Sequence, residues 1–202
     1  MCHTDVAWFI MNSEDTQMLI ENRHKKPYSE KLFNELCIVY LLMDSNNTLD
    51  SYVLDRRFGV SKRTMYRYIE DINEACPPLN LHFEGKARHK YLCADIPDEY
   101  DEYELSLYIS DIGHENRIKK DRLWRCMQLM ACNYGGLDLE KYIDDDDLIN
   151  IPSDDRVLIN GERYVFIDFF TYDELYEKTS LRTQQRDVRL VKDVLIYMLS
   201  LE

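Results

Sequence analysis

The feature that most constrains this chain is a closely spaced set of helix-capping residues in its second quarter. Asp50 and Ser61 are residue types that cap helix N-termini, and Gly59 suits the left-handed conformation that ends a helix. The pair Pro77-Pro78 stops a helix because proline disfavours helical backbone before it. The spacing therefore predicts two helices joined by a tight turn, the second of which spans residues 62–75.

The flanking sequence extends this motif to residues 29–94. Apolar residues recur at helical spacing from Leu32 to Met43 and predict a preceding helix. After the prolines, Leu79–Glu84 alternates apolar and polar residues, as a half-buried strand does, and a returning strand is predicted at Tyr91–Ala94. Three helices followed by a hairpin predict a winged helix-turn-helix.

The remainder predicts an acidic α+β domain over residues 99–202, after a linker at 95–98, so the predicted fold class is α+β. This domain is expected to oligomerise, to sense a signal, or to do both. Asn160-Gly161 between two candidate strands is typical of a tight hairpin. Residues 1–28 form an N-terminal extension, either a short helix packed on the adjoining domain or a strand contributed to another domain. The candidate helices and strands of residues 99–202 are Tyr103–Ile112, Lys120–Asn133, Arg156–Ile159, Arg163–Phe170 and Asp187–Leu201.

Charge is distributed unevenly along the chain. The formal net charge is −13, which by itself disfavours binding to a polyanion. Between Arg56 and Ala94, however, eight basic residues stand against four acidic ones, a net of +4 that leaves −17 for the rest of the chain. One basic patch on an acidic molecule favours nucleic-acid contact through that patch.

The stretch from Arg57 to Arg67 reads Arg-Phe-Gly-Val-Ser-Lys-Arg-Thr-Met-Tyr-Arg. It resembles the winged helix-turn-helix of bacterial DeoR-type and WYL-type regulators, in which an Arg-Phe-Gly-Val-Ser segment leads into a helix carrying Arg-Thr and a following Arg. With the preceding helix and the basic hairpin, the resemblance covers about a third of the chain. It implies a transcriptional regulator that occupies a specific operator in double-stranded DNA.

The candidate DNA contacts lie on the face of helix 62–75 opposite its apolar stripe. Arg63 and Arg67 can each form a bidentate pair with guanine in the major groove. Ser61 and Thr64, at the helix N-terminus, suit a phosphate. The predicted DNA-binding residues of this helix and its cap are Ser61, Lys62, Arg63, Thr64, Tyr66 and Arg67.

The hairpin over residues 81–94, the predicted wing, adds basic residues to this set. Lys86, Arg88 and Lys90 are expected to alternate toward one side and to contact the DNA backbone or the minor groove. DNA readers of this type commonly act as dimers, so a homodimer through the C-terminal half is expected, with the apolar stripe of helix 187–201 as a candidate contact.

Other functions have weaker signals. Six scattered cysteines and the lack of a signal-peptide pattern predict reduced thiols in the cytoplasm. The sequence contains no recognisable metal-ligand set, phosphate loop or catalytic motif, and no apolar stretch long enough to span a bilayer. We therefore expect no metal, no cofactor, no membrane contact and no enzymatic activity, and the sequence indicates no particular small-molecule effector.

Two alternatives remain open at this point. One is a winged-helix protein-interaction module whose acidic C-terminal half imitates DNA and occupies a nucleic-acid binder. The other is an enzyme with a helix-turn-helix appendage, which requires a polar pocket within residues 99–202.

Overall fold

The computed structural model describes residues 9–11, 28–86, 89–100, 104–115, 122–134, 156–159, 162–165 and 179–201. Within these ranges the protein is α+β, with six α-helices and two three-stranded sheets. The helices are α1 (Glu30–Asp44), α2 (Ser51–Phe58), α3 (Lys62–Ala75), α4 (Leu105–Glu115), α5 (Arg122–Tyr134) and α6 (Leu181–Leu199), with a 3-10 turn at Pro77–Leu79. The strands are β1 (Phe9–Met11), β2 (Thr48–Asp50), β3 (His82–Lys86), β4 (His89–Cys93), β5 (Arg156–Ile159) and β6 (Glu162–Val165).

Helix α1 lies at the centre of the core. Every residue from Leu32 to Met43 is buried, and the helix contacts α3, α4, α5 and α6. Because such a helix meets protein on all sides, its sequence is apolar almost all round. The hydroxyl oxygen of Ser29 accepts a hydrogen bond from the backbone N–H of Leu32 and fixes where the helix begins.

The caps place α2 and α3 as the sequence predicts. A carboxylate oxygen of Asp50 accepts from the N–H of Tyr52 at 2.8 Å, and the hydroxyl of Ser61 accepts from the N–H of Thr64 at 3.1 Å. Gly59 ends α2 with a φ of 58°. The prediction of a helix over residues 62–75 is confirmed.

Strands β2, β4 and β3 form an antiparallel sheet in that order. The sequence predicts β3 three residues too early, because Pro77–Leu79 forms a 3-10 turn instead of extended chain. It does not predict β2, because three residues are too few to show a strand's alternation. Leu92 of β4 is completely buried and directs one face of the sheet at the core.

The other sheet joins distant parts of the chain. Strand β1 pairs in parallel with β5, and β5 pairs antiparallel with β6. The described part of the N-terminal extension is therefore a strand paired with a distant strand, and its contribution to another domain stays a prediction. Asn160-Gly161 and the predicted strand residues 166–170 lie outside the described residues.

The C-terminal helices pack against α1. The hydroxyl of Tyr28 donates to a carboxylate oxygen of Asp193 at 2.7 Å and ties the chain before α1 to α6. The completely buried carboxylate of Asp187 accepts from Arg122 at 2.8 Å and Arg125 at 2.9 Å, which joins α5 to α6. Helix α6 begins six residues before the predicted start because Ser180 caps it ahead of a largely polar stretch, Leu181–Arg186, that has no apolar stripe.

The apolar stripe of α6 belongs to the protein's own core. Val191, Val194, Leu195 and Met198 are buried where α6 contacts α1 and α5. The stripe is thus occupied within one copy of the chain, and a subunit contact would use another surface. Buried residues of 29–94 and of the C-terminal helices form one apolar cluster, so the division into domains stays a prediction.

In the ranges given above, no helix is both long enough and apolar enough to cross a bilayer.

Polar contacts join α1 to α3. The buried Asn34 amide donates to the hydroxyl of Tyr68 at 3.5 Å. The ammonium group of Lys31 lies 2.5 Å from Asp71 and 3.6 Å from the buried carboxyl of Glu35. Burial raises the pKa of Glu35 to about 8, Lys31 opposes this rise, and Asp71 adds to it. Glu35 therefore holds its proton at neutral pH.

We predict that Glu35→Gln removes a loss of stability that the wild type undergoes as pH rises. The folded-state pKa of about 8 exceeds the ordinary 4.5, so through this group the free energy of unfolding falls between those pH values. The variant should come close to the wild type near pH 5 and exceed its free energy of unfolding by on the order of 4 kcal/mol at pH 8.

Urea denaturation at several pH values measures this difference. Glu30→Gln, the same substitution at an exposed position of α1, keeps Glu35 and should therefore keep the wild-type fall in stability with pH. Parallel profiles for wild type and Glu35→Gln would contradict the prediction.

Candidate nucleic-acid interface

Helix α3 has one face in the core and one in solvent. Met65, Ile69 and Ile72 are buried on the side that contacts α1, as their spacing predicts. Arg63 and Arg67 are exposed and lie one turn apart, so their side chains project from the same face. The core fixes the direction of this face because any rotation of α3 would expose its apolar stripe.

The N-terminus of α3 is occupied by its own cap. The hydroxyl groups of Ser61 and Thr64 lie 2.8 Å apart, and Ser61 also accepts from the N–H of Thr64. Both hydroxyls thus stabilise the helix start, and their contact with a phosphate stays a prediction. Lys62 is exposed in the first turn and adds positive charge beside the helix dipole.

Two contacts place the β3–β4 hairpin beside α3. The side-chain amide of Asn73 donates to the carbonyl of Leu81 at 2.8 Å and accepts from its N–H at 2.6 Å. The rings of Tyr66 and Phe83 meet edge to face, with centroids 5.2 Å apart. The later helix residue meets the earlier strand residue, so β3 runs back along α3. The tip of the hairpin is therefore directed toward the N-terminal end of α3, where the exposed basic residues lie.

The register of the hairpin places two of its predicted DNA-binding residues, Lys86 and Lys90, on opposite faces of the sheet. Lys86 pairs with His89, and Lys90 pairs with Gly85. Paired residues share a face and successive residues alternate, so Lys86 and Lys90 lie on opposite faces. The expectation that the basic residues point to one side is wrong for these two, because alternation along one strand does not continue through the turn. Arg88 lies outside the described residues.

The two lysines therefore reach different surroundings. Lys90 shares the face of Phe83 and Leu92, the face that meets Tyr66, and it is half-buried. Lys86 is exposed on the outer face near the tip. The structure brings Lys62, Arg63 and Arg67 together on α3, and the hairpin adds one lysine on either side of its sheet.

Helix α2 contributes a basic surface that is absent from the predicted set. Of its described residues, Leu54 alone is buried. The guanidinium of Arg56 lies over the ring of Tyr52, 5.7 Å from its centroid, and Tyr52 is 63% exposed. Arg57 is exposed beside them. The spacing of Tyr52 and Arg56, one turn apart before the glycine turn, is the sequence signal that marks this surface.

The described residues give no support for a metal centre, and Cys76 gives none for a reactive thiol. Among them, no group of three or more His, Cys, Asp and Glu side chains is arranged to hold a metal ion. Burial raises the pKa of the Cys76 thiol to about 12, so this thiol stays protonated and unreactive at neutral pH.

Comparisons with protein-family models, curated proteins and solved structures found no match. The likeness to DeoR-type and WYL-type regulators stays a resemblance carried by residues 57–67.

Two glycines with positive φ shape this surface in different ways. A Cβ built on Gly59, at φ 58°, meets no described atom within 4 Å. A Cβ built on Gly85, at φ 93°, collides with the carbonyl oxygen of His89 on the paired strand. The turn between α2 and α3 needs only the left-handed backbone, whereas the hairpin also needs the missing side chain.

We predict that Gly85→Ala destabilises the protein more than Gly59→Ala does. Gly59→Ala should lower the free energy of unfolding by about 1 kcal/mol, the cost of a left-handed alanine. Gly85→Ala should cost about 2 kcal/mol or more, because the paired strand must also move. Urea denaturation of both variants measures the difference, and equal losses would refute the proposed clash in the hairpin.

Proposed function

We propose that the chain is a DNA-binding transcriptional regulator that acts by occupying a specific operator in double-stranded DNA. In this proposal α1, α2, α3 and the β3–β4 hairpin form a winged helix-turn-helix. Helix α3 enters the major groove and the hairpin contacts the backbone beside it. The observation that carries the proposal is the exposed pair Arg63 and Arg67, on a helix whose opposite face is anchored in the core.

Base contacts and phosphate contacts would contribute to DNA binding in different ways. Bidentate contacts of Arg63 and Arg67 with guanine would each contribute ~1–3 kcal/mol of discrimination against the wrong base. Contacts of Lys62, Lys86 and Lys90 with phosphates would add affinity that is independent of sequence and decreases with salt. The −17 carried outside the basic segment repels DNA from the rest of the surface. Both effects favour one mode of docking.

The protein is proposed to work in the cytoplasm, which the scattered cysteines, with no Cys-x-x-Cys pair in the sequence, favour. Its mechanism is occupancy of DNA without chemistry on it.

A second candidate is a protein-interaction module, which the surface of α2 favours. Tyr52 and Val53 are 63% and 39% exposed, and Arg56 lies over the tyrosine ring. Tyrosine and arginine are enriched in protein interfaces. In this alternative the acidic C-terminal half imitates DNA, and the chain has no DNA affinity of its own.

We predict that the double variant Arg63→Ala/Arg67→Ala loses specific DNA binding. Fluorescence anisotropy would use the duplex upstream of the protein's own gene and a random duplex, at several salt concentrations. Wild type should prefer the upstream duplex and bind less tightly as salt rises, because phosphate contacts release counterions. The double variant should bind this duplex at least about thirtyfold more weakly.

Arg182→Ala/Arg189→Ala is the matched control. It removes the same charge from exposed positions of α6, outside the proposed interface, and should change affinity by less than about threefold. Equal losses in the two double variants would mean that net charge, not the α3 face, governs binding. Absence of wild-type binding to either duplex at low salt would reject the proposal and favour the interaction module.

We further predict a homodimer formed through the C-terminal half, because DNA readers with a single recognition helix commonly bind two half-sites. Since the stripe of α6 is buried, the contact must involve another surface of that half. Light scattering should give about twice the chain mass of 24.3 kDa. A mass of one chain at every concentration would rule the dimer out.

A further inference from the structure

Tyr66 combines two properties that separate it from its neighbours on α3. Its side chain is 45% exposed on the face that carries Arg63 and Arg67. Its ring is also packed edge to face against Phe83 of the hairpin, at 5.2 Å and 65°. A ring held in this way already has a partner within the protein.

The outer part of the hairpin has limited support. Among the described residues, β2 pairs with β4 only over Tyr91–Cys93, so the sheet is two-stranded from residue 90 to the tip. A two-stranded hairpin is marginally stable by itself. Phe83 pairs with Leu92, which puts the Tyr66 contact next to the place where the third strand ends.

The second tie between helix and hairpin lies farther from the tip. Asn73 holds Leu81, the residue just before β3, through both its backbone N–H and its carbonyl. A tie at the base, together with the β2 pairing that ends at Tyr91, leaves the two-stranded part of the hairpin free to bend relative to α3. A second tie at Phe83 sets the direction of the hairpin, since two points define a line along α3.

We propose that Tyr66 is a positioning residue, whose ring holds the hairpin against α3 so that Lys86 reaches the same DNA duplex as Arg63 and Arg67. This inference rests on the proposed DNA binding and gives Tyr66 a role other than reading bases. The aromatic ring of Tyr66 is the group needed for this role, and its hydroxyl group is not needed.

A double-mutant cycle between positions 66 and 86 tests the proposal. The measured quantity is the slope of log affinity against log salt for the operator duplex, which falls by about one when one phosphate contact is lost. Lys86→Ala should lower the slope by about one in the wild type and leave it unchanged in Tyr66→Leu. In Tyr66→Phe, which keeps the ring, Lys86→Ala should again lower it by about one.

Arg67→Ala is the matched control background. This variant changes the residue next to Tyr66 but keeps the Tyr66–Phe83 contact. Lys86→Ala should therefore retain its full effect on the slope in the Arg67→Ala background. The proposal is overturned if Lys86→Ala has the same effect in Tyr66→Leu as in wild type, or loses its effect in Tyr66→Phe. It is also overturned if Lys86→Ala has no effect in wild type while Arg63→Ala/Arg67→Ala abolishes binding, although the proposed function then stands.

Hydrogen exchange in the DNA-free protein gives an independent readout. Amides of residues 83–86 and 89–90 should exchange faster in Tyr66→Leu than in wild type, and at the wild-type rate in Tyr66→Phe. Amides of α1 should be unchanged, which separates loosening of the hairpin from global unfolding. Unchanged exchange in the hairpin of Tyr66→Leu would overturn the positioning role whether or not the protein binds DNA.

Discussion

The burial of α1 on all sides is the constraint on which the other described elements depend. Helices α3, α4, α5 and α6 all contact it, and its residues from Leu32 to Met43 are removed from solvent. Its two buried polar side chains, Asn34 and Glu35, meet Tyr68 and Asp71 on α3. Apolar packing holds α3 against α1. The polar contacts favour one register between the two helices over shifted registers, because a shift would leave buried polar groups without partners.

Local chemistry made the helices of the basic segment predictable. Capping by Asp50 and Ser61 and the left-handed Gly59 depend on residues a few positions apart, so they can be recognised in the sequence. The exposed face of α3 was predictable from the same periodicity. Two features that could not be predicted, strand β2 and the central position of α1, depend on distant parts of the chain. A third, the separation of Lys86 from Lys90, depends on how the chain turns at the hairpin tip, which the alternation of one strand does not show.

The site as a whole was predictable in composition and only partly in arrangement. The sequence identifies the basic residues of α3, but it does not show that the hairpin tip turns toward the start of that helix. That direction is set by Asn73 and Tyr66, whose partners lie eight and seventeen residues later on an element of different geometry. The Tyr52–Arg56 surface is absent from the predicted set, although the spacing of the two residues by one turn is a sequence signal for it.

The contact between α1 and α6 bears on how the protein is made. These are the first and last of the described helices, and Tyr28, just before α1, meets Asp193 of α6 across 165 positions. A ribosome adding roughly 5–20 residues per second needs many seconds to proceed from one to the other. Until then α1 lacks the neighbour that covers one of its sides, and α3 lacks the finished support behind it. The exposed face of α3 thus acquires its full backing only after residues 181–199 have been made.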